Sequence, residues 1–153
     1  MIRVAVQAED FDTGAELAAL SAIAPGEAGG IASFTGIVRA DDALTALHLD
    51  HYPAMTLRQM EKVAADAAAR WPLLGLTVLH RYGMLPVGAR IVFVGAVSRS
   101  RVPALEATAF LIDWLKVSAP FWKREIRGDQ AGQWVEANAG DDARAAGWNR
   151  PGQ

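Results

Sequence analysis

The chain has 153 residues, 52% of them hydrophobic and 21% charged, with a net charge of −2 and no cysteine. That length and balance suit one globular domain that buries a core without covalent staples. They exclude disulfides, thiolate metal sites, a cysteine nucleophile and a persulfide on this chain, and argue against a general nucleic-acid binder, which needs a basic excess.

Ile2 to Ala8 alternates apolar and polar residues and predicts a half-buried strand. Asp12 or Thr13 caps a helix running to about Ile23, which Pro25-Gly26 ends. IASFTGIVR (31–39) is a second strand, with Gly36 as a bulge or close approach. Asp41-Asp42 turns the chain, and TALHLDHY (45–52) is expected as the antiparallel partner of that strand. Pro53 opens a helix through Arg70 whose apolar face is Leu57, Met60, Val63, Ala64, Ala67 and Ala68; Pro72 closes it. LTVLHRYG and ARIVFVGAVS follow as strands joined by a turn, MLPVG. Pro103 suits the first turn of a third helix ending near Ala119, because Pro120 disfavours helical geometry before it. FWKREIR and QWVEA close the order as strands around Gly128, and 138–153 reads as a flexible tail. The order is that of an α+β fold, sheet on one side and helices on the other.

No run reaches the roughly 18 apolar residues of a membrane span. Glu9 and Asp10 stand where a signal peptide would stay apolar, so the expected location is the cytoplasm.

Only three of the 15 basic residues are lysine: Lys62, Lys116 and Lys123. In the third helix Leu105, Ala109, Ile112 and Lys116 recur at helical spacing, so Lys116 continues an apolar stripe. Lys123 follows beyond Pro120, where the turned chain can bring the two amines together. Apolar surroundings and a second cation lower an ammonium pKa and make lysine usable as acid, base or nucleophile. The plainer alternative is a snorkelling amine at a helix end and a solvated charge in WKRE. Arg39 ends one strand, and Arg99 and Arg101 precede a helix start, which suggests an anion pocket beside ordinary surface arginine. His48, Asp50 and His51 have the composition of a metal cluster, but alternation puts His51 on the opposite strand face from the other two. The five tryptophans read as core and interface anchors. Helix three, apolar on both sides with Phe110 and Trp114 opposite Leu105, calls for burial by more than one sheet, such as a second subunit.

FTGIVR, LHLDHYPAMT, HRYGMLPVGARIVFVG, the SRSR–helix junction and WLKVSAPFWKRE occur in that order. Together, over about residues 28–137, they resemble the large, catalytic subunit of molybdopterin synthase. The resemblance implies an α/β hammerhead fold and a homodimer with a small ubiquitin-like sulfur-carrier subunit at each end, two of each. It implies a sulfurtransferase without a cofactor. The carrier's C-terminal Gly-Gly thiocarboxylate enters a pocket of the large subunit, where cyclic pyranopterin monophosphate receives two sulfurs and becomes molybdopterin, the dithiolene ligand of the molybdenum cofactor. The family's essential lysine matches Lys116 and its second active-site lysine Lys123. Its substrate-contacting segments match Ile37, Val38 and Arg39, then Ser100 and Arg101, then Lys123, Arg124 and Glu125.

Two positions depart from the family pattern. Ser100 stands where His precedes the arginine, so an imidazole contact is replaced by a hydroxyl, with Arg99 as a candidate compensating cation. Asn138 takes the place of an arginine near the C-terminal strand. These departures define the alternative function, a non-catalytic or weakened paralogue that binds the carrier or a phosphorylated pterin. A regulator that binds a phosphometabolite would account for the arginines but not for Lys116 beside WKRE.

Overall fold

Capping and strand signals sit close to where they are expected. The protein is described by a computed structural model over residues 1–128, 130–135 and 139–149. In chain order the elements are β1 (Ile2–Gln7), α1 (Thr13–Ser21), β2 (Gly30–Ile37), β3 (Ala46–His51), α2 (Pro53–Arg70), β4 (Leu73–Arg81) and β5 (Gly83–Pro86). They continue with β6 (Arg90–Ser98), α3 (Arg101–Val117), β7 (Phe121–Arg127), β8 (Gln130–Val135) and α4 (Ala139–Gly147). Asp12 caps α1 by accepting from the Ala15 amide at 2.8 Å, and Pro53 occupies the first turn of α2.

The α+β class holds, built as two four-stranded sheets ordered β1-β4-β6-β2 and β5-β3-β7-β8. β1 runs parallel to β4, and the other pairings are antiparallel. The expected hairpin of β2 with β3 does not form: β2 pairs with β6, while β3 pairs with β5 and β7. The intervening loop carries the chain between sheets. Val38 donates to the Ala89 carbonyl at one end, and Thr45 donates to Ile126 at the other. MLPVG is likewise more than a turn, since Gly83–Pro86 leaves the first sheet to edge the second. Gly83 and Gly88, at φ +95° and +88°, supply the left-handed backbone that lets the chain leave and re-enter.

Helices cover both faces of the first sheet rather than one. Leu76, Val78, Val92, Val94 and Ala96 pack under α2 and α3, whereas Leu79, Phe93 and Val97 meet Phe11 and Leu20 on the side of α1. A strand apolar on both faces, as IVFVGAV is, needs two covers. On α2 the expected face is buried at Met60, Val63, Ala64 and Ala67, but Thr56 rather than Leu57 continues it, and Leu57 is exposed. On α3 the stripe against the sheet is Ala104, Ala107, Thr108, Leu111 and Leu115. Small residues there let the helix approach closely, and the Leu105 side is turned outward, Leu105 itself being 57% exposed.

Much of the expected tail is α4. Trp148, just past its end, packs edge-on against Trp71 and Phe110 at 5.8 and 5.7 Å and donates its indole N–H to Asp113 at 2.6 Å. Arg70 lies 4.9 Å over the Trp71 ring and donates to the Trp148 carbonyl at 3.0 Å. Asn138 lies outside the described residues. Among the described residues, no helix is long and apolar enough to cross a membrane.

Candidate active site

Two segments bring the predicted lysines together. Lys116 stands exposed in the last turn of α3, where the helix dipole favours a cation. The chain reverses at Ser118–Pro120, with the Ser118 amide bonded to Trp114 O at 2.7 Å and the Phe121 amide to Ala119 O at 2.8 Å. β7 then enters the second sheet, where Lys123 pairs with Leu49 of β3 and Phe121 with His51. Alternation puts Phe121, Lys123 and Glu125 on one strand face, together with Leu47, Leu49 and His51. Lys123 is partly buried, and burial, reinforced by the ammonium of Lys116, pulls its pKa below the ordinary lysine value. Asp141 of α4 and Glu125 oppose that shift.

His80, in β4, was not singled out by pattern, yet it belongs to the same place. Only 8% exposed, it stacks on Phe121 with ring centroids 4.0 Å apart and planes 20° from parallel. Its Nδ1 lies 2.8 Å from the Arg81 carbonyl, which can only accept, so Nδ1 carries the proton and Nε2 is the bare nitrogen. Burial lowers its pKa to about 4, and Lys123, Lys116 and His51 push in the same direction, so the ring is neutral near pH 7. His51 flanks Phe121 at 5.6 Å and leans on Tyr82 at 4.4 Å. Alternation separates it from His48, which pairs with Met84 and Arg124. A histidine directly after the mostly apolar run LLGLTVL was the signal available for His80.

The register divides the arginines. Gly36, Val92 and His80 lie in one row across the first sheet, so the segment after β2 emerges at the lysine end. Gly36 also marks the register shift expected there. Ile37 and Arg39 are exposed at that end, Arg39 lying 3.9 Å from Asp41. Val38 is 2% exposed, with its amide and carbonyl bonded to Ala89 and Gly88, so it holds the segment rather than presenting a group.

Ser100 and Arg101 sit elsewhere. Arg101 lies against Gly30, at the start of β2. Arg101 and Lys116 are fifteen positions apart along α3, about 22 Å at 1.5 Å per residue. Ser100 occupies the cap position of α3 without a side-chain capping bond, and Arg99 is ion-paired with Glu27. On β7, Arg124 faces away from Lys123, and Glu125 accepts from Arg127 at 2.7 Å. The chain therefore gathers Lys116, Lys123, Glu125, Ile37 and Arg39 at one end, beside the His80 and Phe121 rings, and leaves Ser100-Arg101 at the other. Such an end can hold an anion between two amines and move a proton through the less basic one.

The sequence model of the family described as MoaE protein matches residues 6–118. A molybdopterin synthase catalytic subunit from Mesorhizobium japonicum is 47% identical over 147 residues, covering 95% of this chain and 92% of its own length. A solved molybdopterin biosynthesis MoaE protein from Burkholderia ambifaria superposes with a TM-score of 0.82 at 42% identity, covering 98% of this chain and 99% of that one. A solved protein–protein complex of subunits 1 and 2 of molybdopterin-converting factor from Helicobacter pylori matches with a TM-score of 0.70 at 25% identity, over 86% of this chain and 88% of that one.

Proposed function

The chain belongs to the MoaE protein family, and we propose that it acts as the catalytic, sulfur-transferring subunit of a molybdopterin synthase. Its substrate is cyclic pyranopterin monophosphate, and its sulfur arrives as the C-terminal thiocarboxylate of a small ubiquitin-like carrier. The observation that carries this reading is the convergence of Lys116 and Lys123, the second with a lowered pKa, at one end of the molecule. The relative solved with a second subunit supports a carrier of this kind.

Each sulfur transfer needs a cationic partner for the anionic tail: the thiocarboxylate sulfur bonds to a pterin carbon, and water then cleaves the acyl–sulfur bond and returns the carrier as its carboxylate. The cyclic phosphate opens once in the course of the two transfers, and each bond change needs a proton donor or acceptor. Lys116, exposed at the helix end, receives and polarises the tail. Lys123, whose proton is more easily lost than that of an exposed lysine, donates or accepts at the pterin. Arg39 binds the phosphate from the same end.

Arg101 lies too far from Lys116 to share a small ligand within one protomer. In the homodimer, the second copy supplies Ser100 and Arg101 to the first copy's lysines, which accounts for cationic and apolar groups being exposed together at Arg101, Val102 and Leu105. With a carrier at each end, the assembly holds two large and two small subunits.

The test is to mix the protein with thiocarboxylated carrier and pyranopterin and to follow dithiolene formation. Product formed in proportion to carrier consumed is the expected result. Carrier bound without product would instead select the non-catalytic paralogue.

A further inference from the structure

The lysine pair stands beside a stack of rings, one of which, His80, is far from both lysines in sequence. Phe121 precedes Lys123 by two residues on the same strand face, and His80 lies flat on it from another sheet at 4.0 Å. The Nδ1–H bond to the Arg81 carbonyl, 2.8 Å, fixes the plane of the imidazole. The titratable groups that act on His80 are Lys116 from α3, Lys123 from β7 and His51 from β3, while β1 and β6 meet it at Val6 and Val92. The neighbouring Arg81 guanidinium is turned away, donating to the carbonyls of Ala8 and Arg90. A protonated imidazole here would add a third positive charge beside two ammoniums, whereas a neutral ring adds none and excludes water.

We propose that His80 is a positioning residue of the lysine pair: its ring, clamped by the Arg81 carbonyl and stacked on Phe121, is the dry, uncharged wall that fixes where Lys123 sits. The proposal rests on the lysine pair being the reactive centre, but its geometry is independent of which substrate comes there. On this proposal the rings are part of the burial that lowers the Lys123 pKa.

The experiment is competitive amine labelling of the whole protein, without carrier or pterin, from about pH 6 to pH 11, a span that brackets the ordinary lysine range. Trace acylation is quantified at each lysine by mass spectrometry, with the exposed Lys62 as internal reference. Wild-type Lys123 should titrate below Lys62. In His80→Ala, water reaches the amine, and the Lys123 midpoint should rise toward Lys62 by about one pH unit, while Lys62 stays in place. His80→Phe keeps a ring on Phe121 and should move Lys123 less than half as far. If His80→Ala does not fold, His80→Gln replaces it, since it can still donate to the Arg81 carbonyl but cannot stack. An unmoved Lys123 midpoint in the folded Ala or Gln variant overturns the proposal. A purely structural role would lower the melting temperature without moving that midpoint. Failure of sulfur transfer would sink the function proposed above and leave the labelling result standing; an active enzyme with an unmoved midpoint would sink only this proposal.

Discussion

The two ends of α3 carry cations under opposite conditions. At the C-terminal end, Lys123 is partly buried beside Lys116 and held over His80 and Phe121, and its charge is unfavourable enough to lower its pKa. At the N-terminal end, Arg99 and Arg101 are exposed, and Arg99 is matched by the carboxylate of Glu27. The difference separates two kinds of work. Proton transfer needs an amine whose charge is in doubt, so it needs a built, dry environment. Holding a phosphate needs a permanent cation, and guanidinium is charged wherever it stands, so the solvated end needs little construction.

The sharpest way to break this contrast is to remove the amines. Lys116→Ala should abolish dithiolene formation, a loss of about a thousandfold or more with carrier still bound, and near-normal turnover would contradict the assignment of the tail-binding amine. Lys123→Ala should lower kcat by roughly a hundredfold or more, in the range of a lost general acid or base, with a smaller effect on KM.

Between pH 7 and pH 4 acid should act on the built end. His80 is neutral in the fold down to about pH 4 but takes a proton at its ordinary value of 6.5 when unfolded. Between those values the unfolded chain binds the extra proton, so stability falls as pH drops through the window and levels off below it. The shift corresponds to about 3 kcal/mol. Denaturant melts at pH 7 and pH 4 should therefore show wild type losing that much more than His80→Phe, and equal losses would place the acid sensitivity elsewhere.

The solvated end is probed by complementation. Arg101→Ala should raise KM for the pyranopterin by about tenfold, the scale of one lost charge-assisted contact. If the two ends meet only across a dimer, mixing Arg101→Ala with Lys116→Ala should restore about a quarter of wild-type activity, because half the dimers are mixed and each holds one intact site. No recovery after subunit exchange would mean that each copy completes its own site. The smallest effect belongs to Arg99→Ala. With its charge spent on Glu27, removal should leave KM within about twofold and stability within about 0.5 kcal/mol.

Which parts of this were legible beforehand depends on the range of the interaction. Caps, breakers and strand alternation are local, so Asp12, Pro53, Gly36 and the strand FWKREIR stand where the sequence puts them. The pair Lys116 and Lys123 was visible because a helical stripe and a proline turn lie within one short segment. The partner of β3 was not, since Asp41-Asp42 has the composition of a hairpin turn, while the competing pairing with β7 comes from more than seventy residues away. The face of α3 that meets the sheet was not legible, because the helix is apolar on both sides and the stripe of Ala104, Ala107, Thr108, Leu111 and Leu115 packs there through closeness of approach. His80 escaped for a similar reason: its role depends on Phe121, some forty residues on and in the other sheet. Helix α4 was hidden by charge and glycine, and it is the docking of Trp148 beyond its end that anchors it.

That docking has an optical side. Trp71 and Trp148 lie with ring centroids 5.8 Å apart at 85°, close enough for their excited states to couple, and Asp113 holds the second indole at its N–H. The protein thus carries its own chromophore pair across the seam between its last helix and its core. Near-ultraviolet circular dichroism of the unlabelled chain should include the contribution of that pair, and Trp148→Phe should remove this contribution while leaving that of the other aromatic side chains.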